Sequence, residues 1–582
     1  MTSLTKNISH CRRCVSVIPK RHMNTGSSNA IDATKMQTKN IVLSQWKLIN
    51  ELKSYISKFT ADKTIETALN KEFAQLLQNI NAKSYGSDLV RYFSSISVGI
   101  SRNLEMTEIN QDQGKISLPN ILNELVNGKP EEKKEVIPKW KISKRLTSKE
   151  TVLSQTNIIV SSLNLAEDAP VRLLKIEELI DHLRQHPEEK HNAVKDGAIR
   201  ILLRIRKTTT DQIVLEAVNE AFALLGHTDP VPGSGIRILS IDGGGVRGIL
   251  VIEMLRKLEE LTGKPIYKMF DFICGVSTGA IIATLIGLRQ NTLDETAEIY
   301  KNISTQIFSQ SAIKGTSNLV WSHSYYDTAL WEKLLKAQWD NRSLIETRRN
   351  LEVPKFCAVS AVVNQSRLAA YVFRNYALPY KVQSQYIGGH NHAVWETVRA
   401  SAAAPTYFEE YRIGNMLHQD GGILVNNPTS VAIHEAKLLW PTTPIQCIVS
   451  FGTGRTAPNP IDASAELTTT AISNSSWKKK FLAILDSATD TEGVHTMLSD
   501  LLPPNVYYRF NPYLTDMLDM AEIDPNKLEQ LKRDALMYLR RNEDKFQDAA
   551  KVLSMTKSRT QKLVDWFSLQ KEIHGFKSNM GF

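Results

Sequence analysis

The chain has 582 residues, 42% hydrophobic and 23% charged, and a formal net charge of +10. That length exceeds the ~250–300 residues over which one core grows, so several domains are expected, and the composition is that of a soluble globular protein. Five cysteines, Cys11, Cys14, Cys274, Cys357 and Cys447, are odd in number and widely spread, which argues against a disulfide framework. The positive charge favours an anionic partner; with no nucleic-acid module in the chain, an anionic membrane surface is expected.

In chain order, residues 1–35 read as a mitochondrial transit peptide. Met1 to Ala30 contains no acid, and Lys6, Arg12, Arg13, Lys20 and Arg21 are spread among Ser and Thr. A disordered basic tail suits the same residues. Cys11 and Cys14 form a C-x-x-C without a second pair, so no metal site is expected there. Residues 36–165 read as a helical and charged linker region: Val42, Trp46, Ile49, Leu52 and Ile56 recur at helical spacing, and Ile65 to Ile80 continues the pattern. Gly128 to Glu150 then carries Lys139, Lys141, Lys144, Arg145 and Lys149 around Trp140, which suits either an anionic leaflet or a solvated linker. Residues 166–230 predict three amphipathic helices that resemble an armadillo-like stack, marked by Leu174, Leu179 and Leu183, by Val194, Ile201 and Ile205, and by Val214, Val218 and Leu225. His227 to Gly235 is a Pro/Gly linker.

The informative stretch is Ile236 to Ala280. Ile236 to Ile241 is a short apolar strand ended by Asp242 and three glycines; Ile249, Ile252, Leu255, Leu258 and Leu261 mark a helix stopped by Gly263 and Pro265; Phe270 to Val276 is the next strand. Gly275-Val276-Ser277-Thr278-Gly279 is a G-x-S-x-G pattern with a strand before it and the apolar AIIATLIGL helix after it, so Ser277 sits on a strained strand-to-helix elbow. Gly243, Gly244, Gly245, Val246, Arg247 and Gly248 also satisfy G-x-G-x-x-G. A dinucleotide site needs an acid at the far end of the second strand, yet Asp271 opens that strand and the serine elbow closes it. Exposed N–H groups of consecutive glycines suit an oxyanion hole better. Arg247 could pair an anionic head group or bond within the fold.

Downstream, Met416 to Asp420 is a short segment running into Gly421 and Gly422. Asn427 is a plausible N-cap with Pro428 at the first helical position, Ile445 to Phe451 is a buried-type strand, Trp477 to Phe481 heads a short basic helix, and Asn526 to Met555 reads as one long helix. No run of 18 uncharged apolar residues spans a membrane. P-loop, zincin and EF-hand patterns are absent from the sequence.

Together D-G-G-G-x-R-G at Asp242–Gly248, G-x-S-x-G at Gly275–Gly279, D-G-G at Asp420–Gly422 and the Ser401–Phe408 segment S-A-A-A-P-T-Y-F resemble the patatin-like phospholipase family over roughly residues 170–570. The resemblance implies an α/β fold: a three-layer α/β/α catalytic core over 236–455, with the helical region before it and a C-terminal helical extension over 456–582. It implies Ser277 as nucleophile, Asp420 as its base, Gly244 and Gly245 as oxyanion donors, and no metal or other cofactor. It also implies a phospholipid membrane surface as partner; a homodimer is left open. A Ser-Asp-His triad with His434, His495 or His574 competes with the dyad. A soluble carboxylesterase or thioesterase, and a helical membrane adaptor with a vestigial hydrolase core, are the alternatives. Family members can end in a Ser-Lys-Leu peroxisomal address; this chain ends Asn579-Met580-Gly581-Phe582, so a peripheral mitochondrial location is expected instead.

Overall fold

The computed structural model describes residues 149–309, 325–339, 341–455, 491–516, 518 and 520–574. The leader, the segments over 41–80 and 128–148, Trp477–Phe481 and the chain's last residues lie outside the described residues.

Helices α1 (Lys149–Leu165), α2 (Ala169–Gln185), α3 (Lys190–Lys195), α4 (Ala198–Thr208) and α5 (Gln212–Leu225) come first. Where the spacing predicts three helices from Ala166, there are four, and α1 lies upstream with Ile159, Val160 and Leu163 in the same core. The extra break is Gly197, whose φ of +88° ends one helix and starts the next. Leu174 is exposed; the inward stripe of α2 is Ile176, Leu179, Ile180 and Leu183. Helix α5 is held at both ends, by Asp211 accepting from the Ile213 N–H (2.9 Å) and by Gly226 in a left-handed conformation. A Cβ on Gly226 would lie 2.2 Å from the Leu378 carbonyl. That close approach lets Ala377 N–H donate to Ala223 (2.9 Å), joining the helical layer to the sheet. The fully buried Glu220 on α5 binds Arg184 on α2 and Arg349 (2.5 Å) beyond it.

The sheet has nine strands, β1 (Ile236–Ile241), β2 (Phe272–Val276), β3 (Lys355–Val362), β4 (Ala369–Arg374), β5 (Ile387–Gly389), β6 (Tyr411–Ile413), β7 (Met416–Asp420), β8 (Ile445–Phe451) and β9 (Tyr507–Phe510), with the main path β5-β4-β3-β2-β1-β8-β9. Strands β3, β2, β1, β8 and β9 run parallel, and β4 returns antiparallel to β3. Buried on both faces, these strands read as mainly apolar runs, interrupted by residues such as Arg237, Ser240 and Lys355. Leu239, Ile241 and Ile273 point into one core with helix α6 (Gly248–Thr262), while Ile236, Ile238 and Cys274 point into another with α11 (Thr429–Leu439), giving the three layers.

Three differences from the sequence reading have local causes. The sheet does not end at 455, because Tyr507–Phe510 adds a parallel strand beside β8; four residues are too few to carry a periodic signal. The expected 526–555 helix is two, α13 (Pro525–Arg541) and α14 (Glu543–Leu553), broken at Asn542, and Phe546 of α14 stacks on Phe510 at 3.9 Å. Helix α11 starts at Thr429 with Pro428 as its cap, and Asn427 Oδ1 accepts from the Thr429 N–H (3.2 Å) and hydroxyl (2.6 Å).

Strand β9 is tied to the end of β1 by Arg509 Nη2 and Asp242 Oδ2 at 2.6 Å, both 2% exposed. Arg509→Met leaves a buried carboxylate without its cation and is expected to cost about 3–5 kcal/mol in urea unfolding. The double variant with Asp242→Leu is expected to recover most of that loss.

Candidate active site

Strands β2 and β7 reach the same edge of β3 from opposite directions. Strand β2 ends with Val276 opposite Val359, and antiparallel β7 ends with Asp420 opposite Ser360, the next position along β3. The residues at these ends therefore meet: Ser277 Oγ donates to Asp420 Oδ2 at 2.5 Å, across 143 positions of sequence. Asp420 Oδ1 accepts the Gly422 N–H at 2.7 Å. Burial pushes the Asp420 carboxyl up to about 6, against these two hydrogen bonds, which favour its ionised form.

Ser277 has φ +53° and ψ −122°, a conformation that non-glycine residues rarely hold. Its neighbours explain how it is held. A Cβ on Gly275 would lie 2.3 Å from the Gly279 carbonyl, and one on Gly279 would lie 2.2 Å from the Ile241 carbonyl, so strand and helix approach only because both are glycine. The Ser277 N–H donates to Ser401 Oγ (3.0 Å), whose own hydroxyl donates to the Val359 carbonyl (2.7 Å). The apolar run after the elbow is a short helix, α7 (Thr278–Ala283), that widens into a π turn over Thr284–Leu288 rather than one regular helix.

The glycine turn after β1 is oriented by its carbonyls. Thr453 Oγ1 donates to the Gly243 carbonyl at 2.7 Å, and Arg247 Nε donates to the Gly244 carbonyl at 3.2 Å. In a trans peptide the next N–H points the opposite way, so these bonds aim the N–H groups of Gly244 and Gly245 away from Thr453 and Arg247. Among the described residues neither N–H has a protein acceptor. The Gly245 carbonyl accepts from Thr278 Oγ1 (2.8 Å) and from the buried Tyr300 hydroxyl. Burial pushes the Tyr300 hydroxyl pKa up, so it stays a donor. Of the two roles open to Arg247, its buried side chain takes the bond within the turn.

Asn426 joins the two glycine turns. Its carbonyl accepts the Gly243 N–H (3.3 Å), and its amide oxygen lies where a Cβ on Gly243 would come within 2.5 Å and one on Gly422 within 3.1 Å. Gly421 packs equally closely on β3, with its would-be Cβ 2.3 Å from the Val359 carbonyl. Gly248 faces Thr278 and Tyr300 in the same way. Ser401 was singled out from sequence only as the first residue of the Ser401–Phe408 motif, without a role, and Thr453, Asn426 and Tyr300 were not singled out. Thr453 and Ser401 lie in glycine-rich or small-residue segments that could have raised them, whereas nothing local marks Tyr300.

Of the competing histidines, His434 lies against Tyr386 and accepts from the Gln385 N–H, and His495 lies beside Tyr507. Among the described residues neither Ser277 nor Asp420 hydrogen-bonds to a histidine. Beside Ser277 opens an apolar cavity lined by Ile281, Ile303, Ile307, Trp331, Phe408 and Met520. The arrangement places a hydroxyl, bonded to a desolvated carboxylate, and the Gly245 turn on the wall of an apolar slot, which suits acyl transfer from a chain-bearing ester. Among the described residues no group of three His, Cys, Asp or Glu side chains could hold a metal ion, and no helix is long and apolar enough to cross a membrane.

Residues 239–433 match the family described as patatin-like phospholipase. The chain is 45% identical to the human calcium-independent phospholipase A2-gamma over 431 residues, 74% of this chain and 54% of that protein, and 44% identical to the rat protein over 447 residues, 77% and 56%. It is 30% identical to phospholipase A I of Arabidopsis thaliana over 435 residues, 63% of this chain and 32% of that one. The chain thus spans about half the length of the mammalian relatives it matches. The domain built around Ser277 and Asp420 belongs to the patatin-like phospholipase family.

Proposed function

We propose that this chain is a lipid acyl hydrolase, a phospholipase of the A2 type, that cleaves glycerophospholipid esters at a membrane surface through a Ser277–Asp420 dyad. The observation that carries the reading is the 2.5 Å bond between a buried carboxylate and Ser277 Oγ, with Ser277 on the wall of an apolar cavity. In the proposed reaction Ser277 Oγ attacks the ester carbonyl while its proton passes to Asp420 Oδ2. The N–H groups of Gly244 and Gly245 take the oxyanion. Asp420 returns the proton to the departing glycerol oxygen, leaving an acyl-enzyme; water, deprotonated by Asp420, then attacks the acyl carbon, and the fatty acid departs as the proton returns to Ser277. The carboxylate needs no histidine because burial brings its pKa near the working pH.

The names of the mammalian relatives describe calcium-independent enzymes, and the proposal includes that property. A preference for anionic lipid rests on the net charge of +10, and a mitochondrial location rests on the basic, acid-free first thirty residues.

With excess chelator, the wild type is expected to release fatty acid from mixed phosphatidylcholine and cardiolipin vesicles. Ser277→Ala is expected to lose roughly 10⁴-fold or more and Asp420→Asn about as much, both folding normally. Unchanged lipolysis in Ser277→Ala overturns the reading; turnover of small soluble esters without vesicle hydrolysis moves it to an esterase.

Because Asp420 must be ionised to accept the proton, labelling of Ser277 by a fluorophosphonate is expected to rise about tenfold per pH unit up to about 6 and level off above it. The stability consequence has the opposite sign. A carboxyl whose folded pKa lies above its ordinary 3.8 binds its proton more tightly folded than unfolded, so its contribution falls as pH rises from 3.8 through about 6. Asp420→Asn is expected to lessen the pH slope of thermal melts taken across this range, leaving the share of Asp242, whose carboxyl burial also pushes up to about 6.

A further inference from the structure

A second cavity, of about 280 Å³, lies at the other end of the parallel strands. It is lined by the residues that open the strands, Arg237 of β1, Asp271 before β2 and Lys355 of β3, and is walled by α5 and the linker after it. Ser277 follows the far end of β2, so the two sites are separated by roughly 17 Å, the length of a five-residue strand.

The acids of this cavity already have partners. Asp271 holds Arg237 through two bonds (2.6 and 3.0 Å), Asp229 holds Arg206 through two more (2.9 and 2.7 Å), and Glu352 lies 3.1 Å from Lys268. Asp229 also acts on Arg348 and Lys355, and His227 lies between Asp229 and Glu572, yet three nitrogen centres here lack a hydrogen bond. Lys355 is 7% exposed, and its ammonium has neither a hydrogen bond nor an ion pair among the described residues; it lies 5.8 Å from the centre of the Tyr376 ring. Arg348 donates through Nη1 to the Val353 carbonyl, but its buried Nε has no partner. His227 Nε2 is likewise buried without a hydrogen bond, with Asp229 at 3.8 Å. A buried cation without an anion is expensive, and proteins keep such groups mostly where a ligand or partner supplies the missing charge. Burial and then the nearby Arg348 pull the Lys355 pKa well below its ordinary value, outweighing the opposing charge of Asp229.

We propose that this cavity is a binding site for a small phosphate-bearing anion, with Lys355 and Arg348 as its cationic ligands and His227 as a further donor. Three donors on three separate elements suit a tetrahedral phosphate, which offers acceptors in several directions, better than a planar carboxylate. The volume restricts the ligand to a small molecule and excludes a long acyl chain. Phe222, Phe270 and Trp440 in the lining offer an apolar wall for an organic body beside the phosphate.

The test needs no turnover, so it stands or falls separately from the acyl hydrolase reading. Full-length wild type, Lys355→Met and Arg348→Gln are titrated with inorganic phosphate, glycerol 3-phosphate, phenyl phosphate and acetate at constant ionic strength, by thermal shift and calorimetry. A saturable rise in wild-type Tm with at least one phosphate, larger than with acetate and weakened about tenfold or more in both variants, is the expected result. Lys355→Met without ligand is expected to melt no lower than wild type, because it removes an unpaired buried charge. If that variant fails to fold, Arg348→Gln carries the comparison. Preference for inorganic phosphate over the two esters assigns a free-ion site; the reverse order assigns a phosphomonoester. No saturable response in wild type, an equal response to acetate, or an unchanged response in the variants overturns the proposal.

Discussion

Everything at the catalytic end of this fold depends on a shared edge of one strand. Strand β3 offers that edge to β2 as far as Val359 and to β7 from Ser360, so two strands running in opposite directions end one register position apart. Where one ladder stops and the other begins, the Val359 carbonyl is taken by the Ser401 hydroxyl, and Gly421 packs against it. Ser401 in turn accepts the Ser277 N–H and fixes the elbow. A slip of either strand by one residue would turn its side chains to the opposite face and separate hydroxyl from carboxylate. The short Ser277–Asp420 distance is thus a product of sheet register rather than of loop placement.

The buried acids around the sheet differ in their partners. Asp242, Asp271 and Glu435 each face an arginine, respectively Arg509, Arg237 and Arg374, at 2.6 to 2.7 Å. For Glu435 burial alone would raise the pKa, but the bonds and charge of Arg374 leave it below the ordinary value. Asp420 receives only a hydroxyl and an amide N–H, neither carrying a full charge, so burial wins and its pKa rises to about 6. A cation beside Asp420 would stabilise the carboxylate and make it a weaker base. Burial outweighs even Arg509 at Asp242, whose carboxyl is also pushed up to about 6, so what distinguishes Asp420 is the serine hydroxyl bonded to it rather than its pKa alone.

Much of this was legible in the sequence because glycine spacing records close backbone approach. Gly275 and Gly279 flank Ser277 because strand and helix touch there, and the D-G-G-G-x-R-G and D-G-G turns mark strand ends in the same way. Ile236–Ile241 and Ile445–Phe451 were readable as strands because both faces are buried and the runs are short, mainly apolar and rich in β-branched residues. Contacts between distant segments had no such record. Strand β9 is four residues long, and Tyr300 reaches the Gly245 carbonyl from a helix with an ordinary amphipathic pattern. Helix breaks at Gly197 and Asn542 fell inside apolar patterns that continue across them, so periodicity merged what backbone conformation separates. The unpaired Lys355 was equally silent, since one lysine at a strand start carries no signal until its surroundings are known.

The glycine turn shows how the fold supports a site that is unfavourable in isolation. Ser277 at positive φ and a desolvated Asp420 both lower stability locally. Two extensive apolar cores and the arginine-paired strand ends surround them. Within that frame the carbonyls of Gly243, Gly244 and Gly245 are each bound by a side chain, from Thr453, Arg247 and the pair Thr278 and Tyr300. A peptide whose oxygen is held cannot rotate, so the N–H groups of Gly244 and Gly245 keep their direction before any substrate arrives. Donors already in place need no reorganisation as negative charge develops, and this is the condition under which such hydrogen bonds lower a barrier rather than merely bind an ester. In the proposed reaction the clamps from Thr453 and Arg247 therefore matter as directly as the glycines that the motif displays, while Thr278 and Tyr300 hold the following peptide, whose Val246 N–H goes to the Met520 carbonyl.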